Sequence, residues 1–224
     1  GDVVSIPAGI YSESIAIKDG VVLCGEGANT TIIDGGGANI VVTCGKSSAI
    51  MGFTIQNGTL GVYNAGNFIG VSDCVIKDIS RTCVRLSHGS ALISHNLLQG
   101  SGNRSSGVVS YQSNPVTSDN VIVNHQWTGV LGTQNHVLSI SGNVIAGNKT
   151  GVRCMNGSEA IMDGNTFDSN TNNVRSVELS DTDTIAVVDL TNAVPYRQSP
   201  PIDEILAEMA DVYEIVVAEH PLLI

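Results

Sequence analysis

Aromatic residues are scarce in this 224-residue chain: they make up 4% of the sequence, and Trp127 is its single tryptophan. Aromatic rings supply large contact areas for ligands, so few such contact surfaces are available here. Charged residues make up only 14% of the chain, and no apolar run approaches the roughly 18 residues of a membrane-spanning helix. The sequence therefore predicts no membrane span.

The cysteines lack the close CxxC spacing of a zinc or redox site, and an odd number cannot all pair within one chain. Buried free thiols are the expected state, because unpaired cysteine behaves as a small hydrophobic residue. This expectation disfavours an oxidising compartment. The five positions are Cys24, Cys44, Cys74, Cys83 and Cys154.

Charge is unevenly distributed along the chain. Residues 1–177 carry 11 acidic and 9 basic side chains, whereas residues 178–224 carry 10 acidic side chains and one base, Arg197. A nearly neutral body followed by an acidic tail is therefore predicted, with no basic face of any size. On this basis nucleic acid and a bare anionic lipid surface are not expected as partners.

A repeat of about 22 residues runs through most of the chain. Two independent sets of equivalent positions share this period, and hydrophobic residues recur at fixed offsets from both. Such self-similarity is typical of a solenoid, in which each repeat packs on its neighbours. The first set is Thr31, Phe53, Cys74, Asn96, Asn120, Asn143 and Asn165; the second is Asn39, Gly61, Cys83, Gly107, Gly129, Gly151 and Asn173.

The hydrophobic columns beside these two sets favour short strands over the helical segments of leucine-rich repeats, because β-branched residues dominate and turn residues punctuate each repeat. Each coil should hold three short strands and stack on the next at roughly 4.8 Å. The inward columns predicted are Ile33, Ile55, Ile76, Leu98, Ile122, Ile145 and Phe167, and Ile40, Val62, Val84, Val108, Val130, Val152 and Val174.

Asparagine recurs at one corner of four consecutive coils, at Asn96, Asn120, Asn143 and Asn165. Asparagine tolerates the left-handed backbone of a tight corner, and stacked amides can pass hydrogen bonds from layer to layer. We therefore interpret this column as structural.

The repeat resembles those of right-handed parallel β-helix proteins in the pectate-lyase-like superfamily, particularly the short β-helix repeats of carbohydrate-binding proteins and sugar hydrolases. The opening segment Gly1–Tyr11 and the stretches Val21–Gly27 and Thr31–Gly35 are similar to the first coil of such proteins. This resemblance implies an all-β, single-stranded right-handed parallel β-helix of about seven to eight coils, commonly extracellular or at the cell surface. It does not imply one reaction, because this architecture hosts enzymes, adhesins and inert scaffolds.

The chain is predicted to divide into a β-helix domain (residues 1–192), a proline-containing linker (193–201) and an amphipathic α-helix (202–220). The helix should cap the last coil or pack against a second protomer, and the uncapped first coil offers another possible dimer contact. Its apolar stripe is Ile202, Ile205, Leu206, Met209, Val212, Tyr213 and Val216.

Two columns and one cluster near the loops offer candidate chemistry. Asp73, His95 and Asp119 should stack on adjacent coils, where a histidine between carboxylates could act as a general acid and base; a solvated corner is the alternative. Two neighbouring guanidinium groups, at Arg153 and Arg175, could clamp a sugar carboxylate, or could instead pair with Asp163 and Asp168. Further sugar contacts are predicted near the longest loops, which span residues 100–106 and 112–115, at Trp127, Tyr111 and His125.

The calcium-binding carboxylates and the catalytic base known in pectate lyases match no particular residues of this chain. We therefore predict no cofactor and no metal site, although the resemblance alone would admit calcium. The expected function is a non-catalytic module associated with polysaccharide or the cell surface. The alternative is a small lyase, epimerase or hydrolase with a site on the outer face.

Overall fold

The computed structural model describes residues 1–66 and 68–185. These residues form a parallel β-solenoid of about 8 turns, and this part of the chain contains no helix. The predicted linker and C-terminal helix lie outside the described residues. The strands are β1 (Val3–Ile6), β2 (Gly9–Tyr11), β3 (Ile15–Ile17), β4 (Val22–Gly25), β5 (Thr31–Cys44), β6 (Ser48–Met51), β7 (Thr54–Ala65), β8 (Phe68–Ser72), β9 (Val75–Ser94), β10 (Leu97–Gly100), β11 (Ser106–Ser118), β12 (Val121–Val123), β13 (Thr128–Thr133), β14 (Val137–Ser141), β15 (Val144–Ala146), β16 (Thr150–Met155), β17 (Glu159–Asp163), β18 (Thr166–Asp168), β19 (Asn172–Arg175) and β20 (Thr184–Ile185).

Parallel strands stack in three columns around the core. The first stack runs from β1 through β4, β6 and β8 to β14 and β17, and the second runs from β2 through β10, β12 and β15 to β18 and β20. The third runs from β3 through β13 and β16 to β19. The long strands β5, β7, β9 and β11 bend round corners and contribute to more than one stack, so all twenty strands join in one continuous sheet.

The predicted inward columns form the core. In the second stack, the side chains from Ile33 to Phe167 are in register from coil to coil, and none is more than 2% exposed. In the third stack the column is correct from Val62 onward, but Val42 rather than Ile40 pairs with Val62. The register shifts between Asp34 and Ala38, where Gly36 and Gly37 have left-handed backbones. This bulge displaces the inward position of the second coil by two residues.

The asparagine ladder is confirmed, with one correction to its backbone. Asn120 donates from its backbone N–H (2.9 Å) and Nδ2 (3.0 Å) to Asn143 Oδ1, and Asn143 donates in the same way to Asn165 Oδ1 (3.0 Å each). The ladder ends on Asp183, whose Oδ1 accepts both hydrogen bonds from Asn165 at 2.8 Å. The left-handed residues of this corner lie one position before Cys74 and before each of the four asparagines: Asp73, His95, Asp119, Gly142 and Gly164.

The first coil leaves part of the core open to solvent. A cavity of about 380 Å³ there is lined mainly by apolar side chains of the first two coils, including Val4, Ile15 and Leu23. Ile10 is 70% exposed on the same coil. The predicted burial of the thiols holds for four cysteines, whereas Cys24, on β4, is half-buried.

Candidate functional site

One face of the third stack collects most of the basic side chains. Thr82, Ser106, Thr128 and Thr150 pair in one register, which stacks the residues just before them, Arg81, Ser105, Trp127 and Lys149. A second outward column lies four residues after the first on each coil. Its members are Arg85, Val109, Leu131, Arg153 and Arg175.

We call six side chains on this face the basic strip: Arg81, Arg85, Arg104, Lys149, Arg153 and Arg175. They are six of the ten basic residues in the whole chain. The other three bases of residues 1–177 lie outside this strip. The expectation that this chain has no basic face is therefore wrong, because stacking brings together bases that lie far apart in sequence.

Four members of the basic strip, Arg81, Arg85, Arg104 and Lys149, surround a groove with a cavity volume of about 470 Å³. Val109 is 8% exposed on the groove wall, and the indole of Trp127 is 42% exposed beside it. No acidic residue lines the groove. Its lining residues are Arg81, Thr82, Arg85, Asn103, Arg104, Val109, Gln126, Trp127 and Lys149.

A short loop between β10 and β11 positions part of the groove. The backbone N–H of Ser105 donates to Gly102 O at 3.1 Å, which closes the turn that carries Asn103 and Arg104. The backbone N–H of Trp127 donates to Ser105 O at 3.1 Å, which holds the tryptophan beside this turn. The turn falls in the predicted 100–106 loop, so the longest repeat does supply groove residues.

The four groove cations have no carboxylate partner within the described part of the chain. Neither an ion pair nor a hydrogen bond joins Arg81, Arg85, Arg104 or Lys149 to an acidic side chain in residues 1–66 or 68–185. Four neighbouring positive charges repel one another, and in most protein surfaces interspersed acids offset such repulsion. A bound anion would offset it here.

Arg153 and Arg175 lie on adjacent coils, as the repeat predicts. Arg153 and Arg175 are direct partners in the parallel pairing of β16 with β19, and both line a second, shallower depression of about 450 Å³. The alternative interpretation was pairing with Asp163 and Asp168, but no ion pair joins either arginine to an acid among the described residues. Asp163 instead accepts a hydrogen bond from Thr182.

The predicted sugar contacts separate into surface and interior residues. Tyr111 lies on the same outward face two residues beyond Val109, and its ring meets the His88 ring edge-on at 5.6 Å. His125 is fully buried, and its Nε2 lies 3.1 Å from Leu98 O inside the solenoid. Burial lowers the pKa of His125 to about 4.

His125 begins a second polar ladder that sequence reasoning missed. Its backbone N–H donates to Asn148 Oδ1 at 2.9 Å, and Asn148 donates from its backbone N–H to Asn170 Oδ1 at 2.9 Å. The spacing of 23 and 22 residues is the signal that could have revealed it.

The predicted catalytic column occupies a corner between the first and second stacks. Asp73, His95 and Asp119 lie on consecutive coils, and each backbone N–H donates to a serine carbonyl of the next coil at 3.0–3.3 Å. All three have left-handed backbones, like Gly142 and Gly164, which continue the column. Asp73 is buried, His95 half-buried and Asp119 exposed. Their catalytic role stays a prediction.

The basic groove residues were missed individually, although a signal exists. Arg81 and Arg85 are four residues apart, and Lys149 and Arg153 repeat that offset three coils later.

Within the range that the structure describes, no group of three or more His, Cys, Asp or Glu side chains could hold a metal ion. That same range also contains no helix with the length and apolarity needed to cross a membrane.

Comparisons with known proteins address the fold. The family model described as the right-handed beta helix region matches residues 58–192, more than half of the chain. No curated protein matches the sequence. Among solved structures, the chain is similar to a mannuronan C-5 epimerase A-module from Azotobacter vinelandii, with 13% sequence identity and a TM-score of 0.41 over 84% of this chain and 91% of that one. The chain belongs to the right-handed β-helix family.

Proposed function

We propose that this chain is a non-catalytic β-helix module that binds an acidic polysaccharide in the groove around Trp127. The observation that carries the proposal is the set of four cations, without acidic partners among the described residues, around one exposed indole. Membership of the β-helix family is consistent with such a role but does not specify it.

The lining chemistry fits a carboxylated or sulfated sugar chain. Guanidinium groups of Arg81, Arg85 and Arg104 present planar forks that suit carboxylate and sulfate oxygens. Amides of Asn103 and Gln126 both donate and accept hydrogen bonds, as sugar hydroxyls require. The apolar face of the indole provides a surface for a sugar ring.

Nucleic acid is the competing polyanion, and the groove suits it less well. Proteins that bind single strands stack successive bases on several aromatic side chains. Trp127 is the only aromatic residue that lines this groove. The formal net charge of −11 would also oppose a highly charged polymer more strongly than a sugar chain of lower charge density.

Fluorescence provides a direct test, because Trp127 is the single tryptophan. We expect polygalacturonate or alginate to change its emission in a saturable, salt-sensitive way, whereas neutral dextran should not. The double variant Arg81→Gln, Arg104→Gln should weaken binding by about fivefold or more, since each exposed ion contact contributes up to about 1 kcal/mol.

The matched control removes two bases outside the strip, Lys18→Gln with Lys46→Gln, and should bind as the unaltered chain does. Equal loss of affinity in both double variants would indicate a non-specific charge effect and would contradict the proposal. Tighter binding of single-stranded DNA than of any acidic polysaccharide would assign the groove to nucleic acid.

An enzyme remains the second candidate, because Asp73, His95 and Asp119 stack on consecutive coils. A histidine between two carboxylates can relay protons in lyase or epimerase chemistry. The same polysaccharides should therefore be monitored for unsaturated products and for changed sugar configuration, with and without calcium. Turnover that disappears in His95→Ala would overturn the non-catalytic assignment.

A further inference from the structure

The guanidinium pair of Arg153 and Arg175 is an unneutralised charge pair outside the groove. The two residues face each other across parallel strands, where like charges destabilise a sheet. Nε of Arg153 is buried and has no hydrogen-bond partner. An anion in the depression that both side chains line would offset the repulsion between them.

The pair continues the same basic strip. Lys149, which lines the groove, and Arg153 are four residues apart on one coil. The column Arg85, Val109, Leu131, Arg153, Arg175 advances one coil per step. At roughly 4.8 Å per step, Arg153 lies about 14 Å and Arg175 about 19 Å from the level of Arg85.

We propose that Arg153 and Arg175 form a second anionic subsite, occupied by the same acidic polysaccharide chain that fills the groove around Trp127. The sugar chain then lies along the solenoid axis, with one stretch in the groove and a later stretch against the guanidinium pair. This inference rests on the proposed function and adds a direction and a minimum length to it.

A consequence is a length threshold in binding. Short acidic oligosaccharides fill only the groove, whereas longer ones also reach the pair. The second contact is then intramolecular and benefits from a high effective concentration. The affinity for an oligosaccharide should therefore rise sharply at the length that spans both subsites, instead of growing smoothly with the number of sugars.

The experiment titrates a ladder of oligogalacturonates, from the dimer upward, into three proteins. These are the unaltered chain, the double variant Arg153→Gln, Arg175→Gln, and the control double variant Lys18→Gln, Lys46→Gln. Circular dichroism verifies that each is folded. Trp127 fluorescence reports groove occupancy, and calorimetry reports the affinity of each length.

We expect the Arg153→Gln, Arg175→Gln variant to bind short oligomers as the unaltered chain does. Its affinity should show no sharp rise with length, so that it binds long oligomers about fivefold more weakly than the unaltered chain. Arg153→Lys should recover only part of this rise, because an ammonium lacks the planar fork. Equal weakening for short and long oligomers, or no sharp rise in the unaltered chain, overturns the second subsite while the groove proposal stands. Absence of any acidic oligosaccharide binding overturns both.

Discussion

Replacing His125 by asparagine should remove an acid-sensitive contribution to the stability of the solenoid. His125 is fully buried, and its Nε2 donates to the carbonyl of Leu98, since a carbonyl only accepts. Its Nδ1 is buried and has no hydrogen-bond partner. Burial disfavours the imidazolium, which lowers the pKa from the ordinary 6.5 to about 4.

The direction of the pH effect follows from this lowered pKa. Above pH 6.5 the imidazole of His125 is neutral in both the folded and the unfolded chain, so it adds no pH dependence. Between 6.5 and about 4 the unfolded chain takes up a proton that the folded chain resists, and the free energy of unfolding falls. The full loss is about 3 kcal/mol, on the scale of 1.36 kcal/mol per pKa unit.

Asparagine is the matched replacement because the next coils already carry it. Nδ2 of Asn148 donates to Ile122 O at 3.0 Å, and Nδ2 of Asn170 donates to Ile145 O at 2.7 Å. Leu98 is the equivalent acceptor one coil earlier. His125→Asn should therefore keep this hydrogen bond and eliminate only the titration.

Urea unfolding followed by circular dichroism, at neutral pH and at about pH 4.5, measures the effect. Relative to His125→Asn, the unaltered chain should lose about 2 to 3 kcal/mol between the two conditions. Carboxylates contribute equally to both proteins and cancel in the difference. Identical pH dependence of the two proteins would refute the reasoning.

Two further predictions concern the interior. Asn143→Leu leaves the buried backbone N–H of Asn120 without its acceptor and should lower the free energy of unfolding by about 2 to 4 kcal/mol in urea titrations, so a change within experimental error would contradict the ladder's role. In the folded protein, iodoacetamide followed by mass spectrometry should modify Cys24 first, because it is the half-buried thiol, and all five cysteines only after unfolding. Burial raises the pKa of Cys44 and Cys74 to about 12 and that of Cys154 to about 11, so rapid labelling of any of these would be inconsistent with the packing.

The fold was predictable because its determinants repeat. The hydrophobic columns and the asparagine ladder recur at nearly constant spacing, and each member makes the same contact as its neighbour one coil away. One error occurs where that regularity breaks. Ile40 was misplaced because the bulge before Ala38 shortens the following step. The left-handed corner was assigned to the asparagines, although it belongs to the residue before each of them.

The candidate site was predictable only in part. Arg153 and Arg175 share one repeat register and could be paired from the sequence, and Trp127 was recognised as the one indole near the long loop. The charge balance of residues 1–177 concealed the basic strip, since nine bases among eleven acids give no hint of segregation. His125 is predicted as a sugar contact because it lies two residues from Trp127 near the long loops, whereas its side chain is buried.

The sequence alone determined that this chain is a parallel β-solenoid, because identical backbone and packing requirements on every coil leave a periodic record in the residues. Only the tertiary structure decided that the bases gather on one face and that a histidine lies inside. Those features depend on which non-repeating side chains from different coils come into register, and on local bulges that shift this register. Apart from the 23- and 22-residue spacing of the His125 ladder and the repeated four-residue offset between bases, these residues leave no regular period, so only the stacked coils show that they lie together.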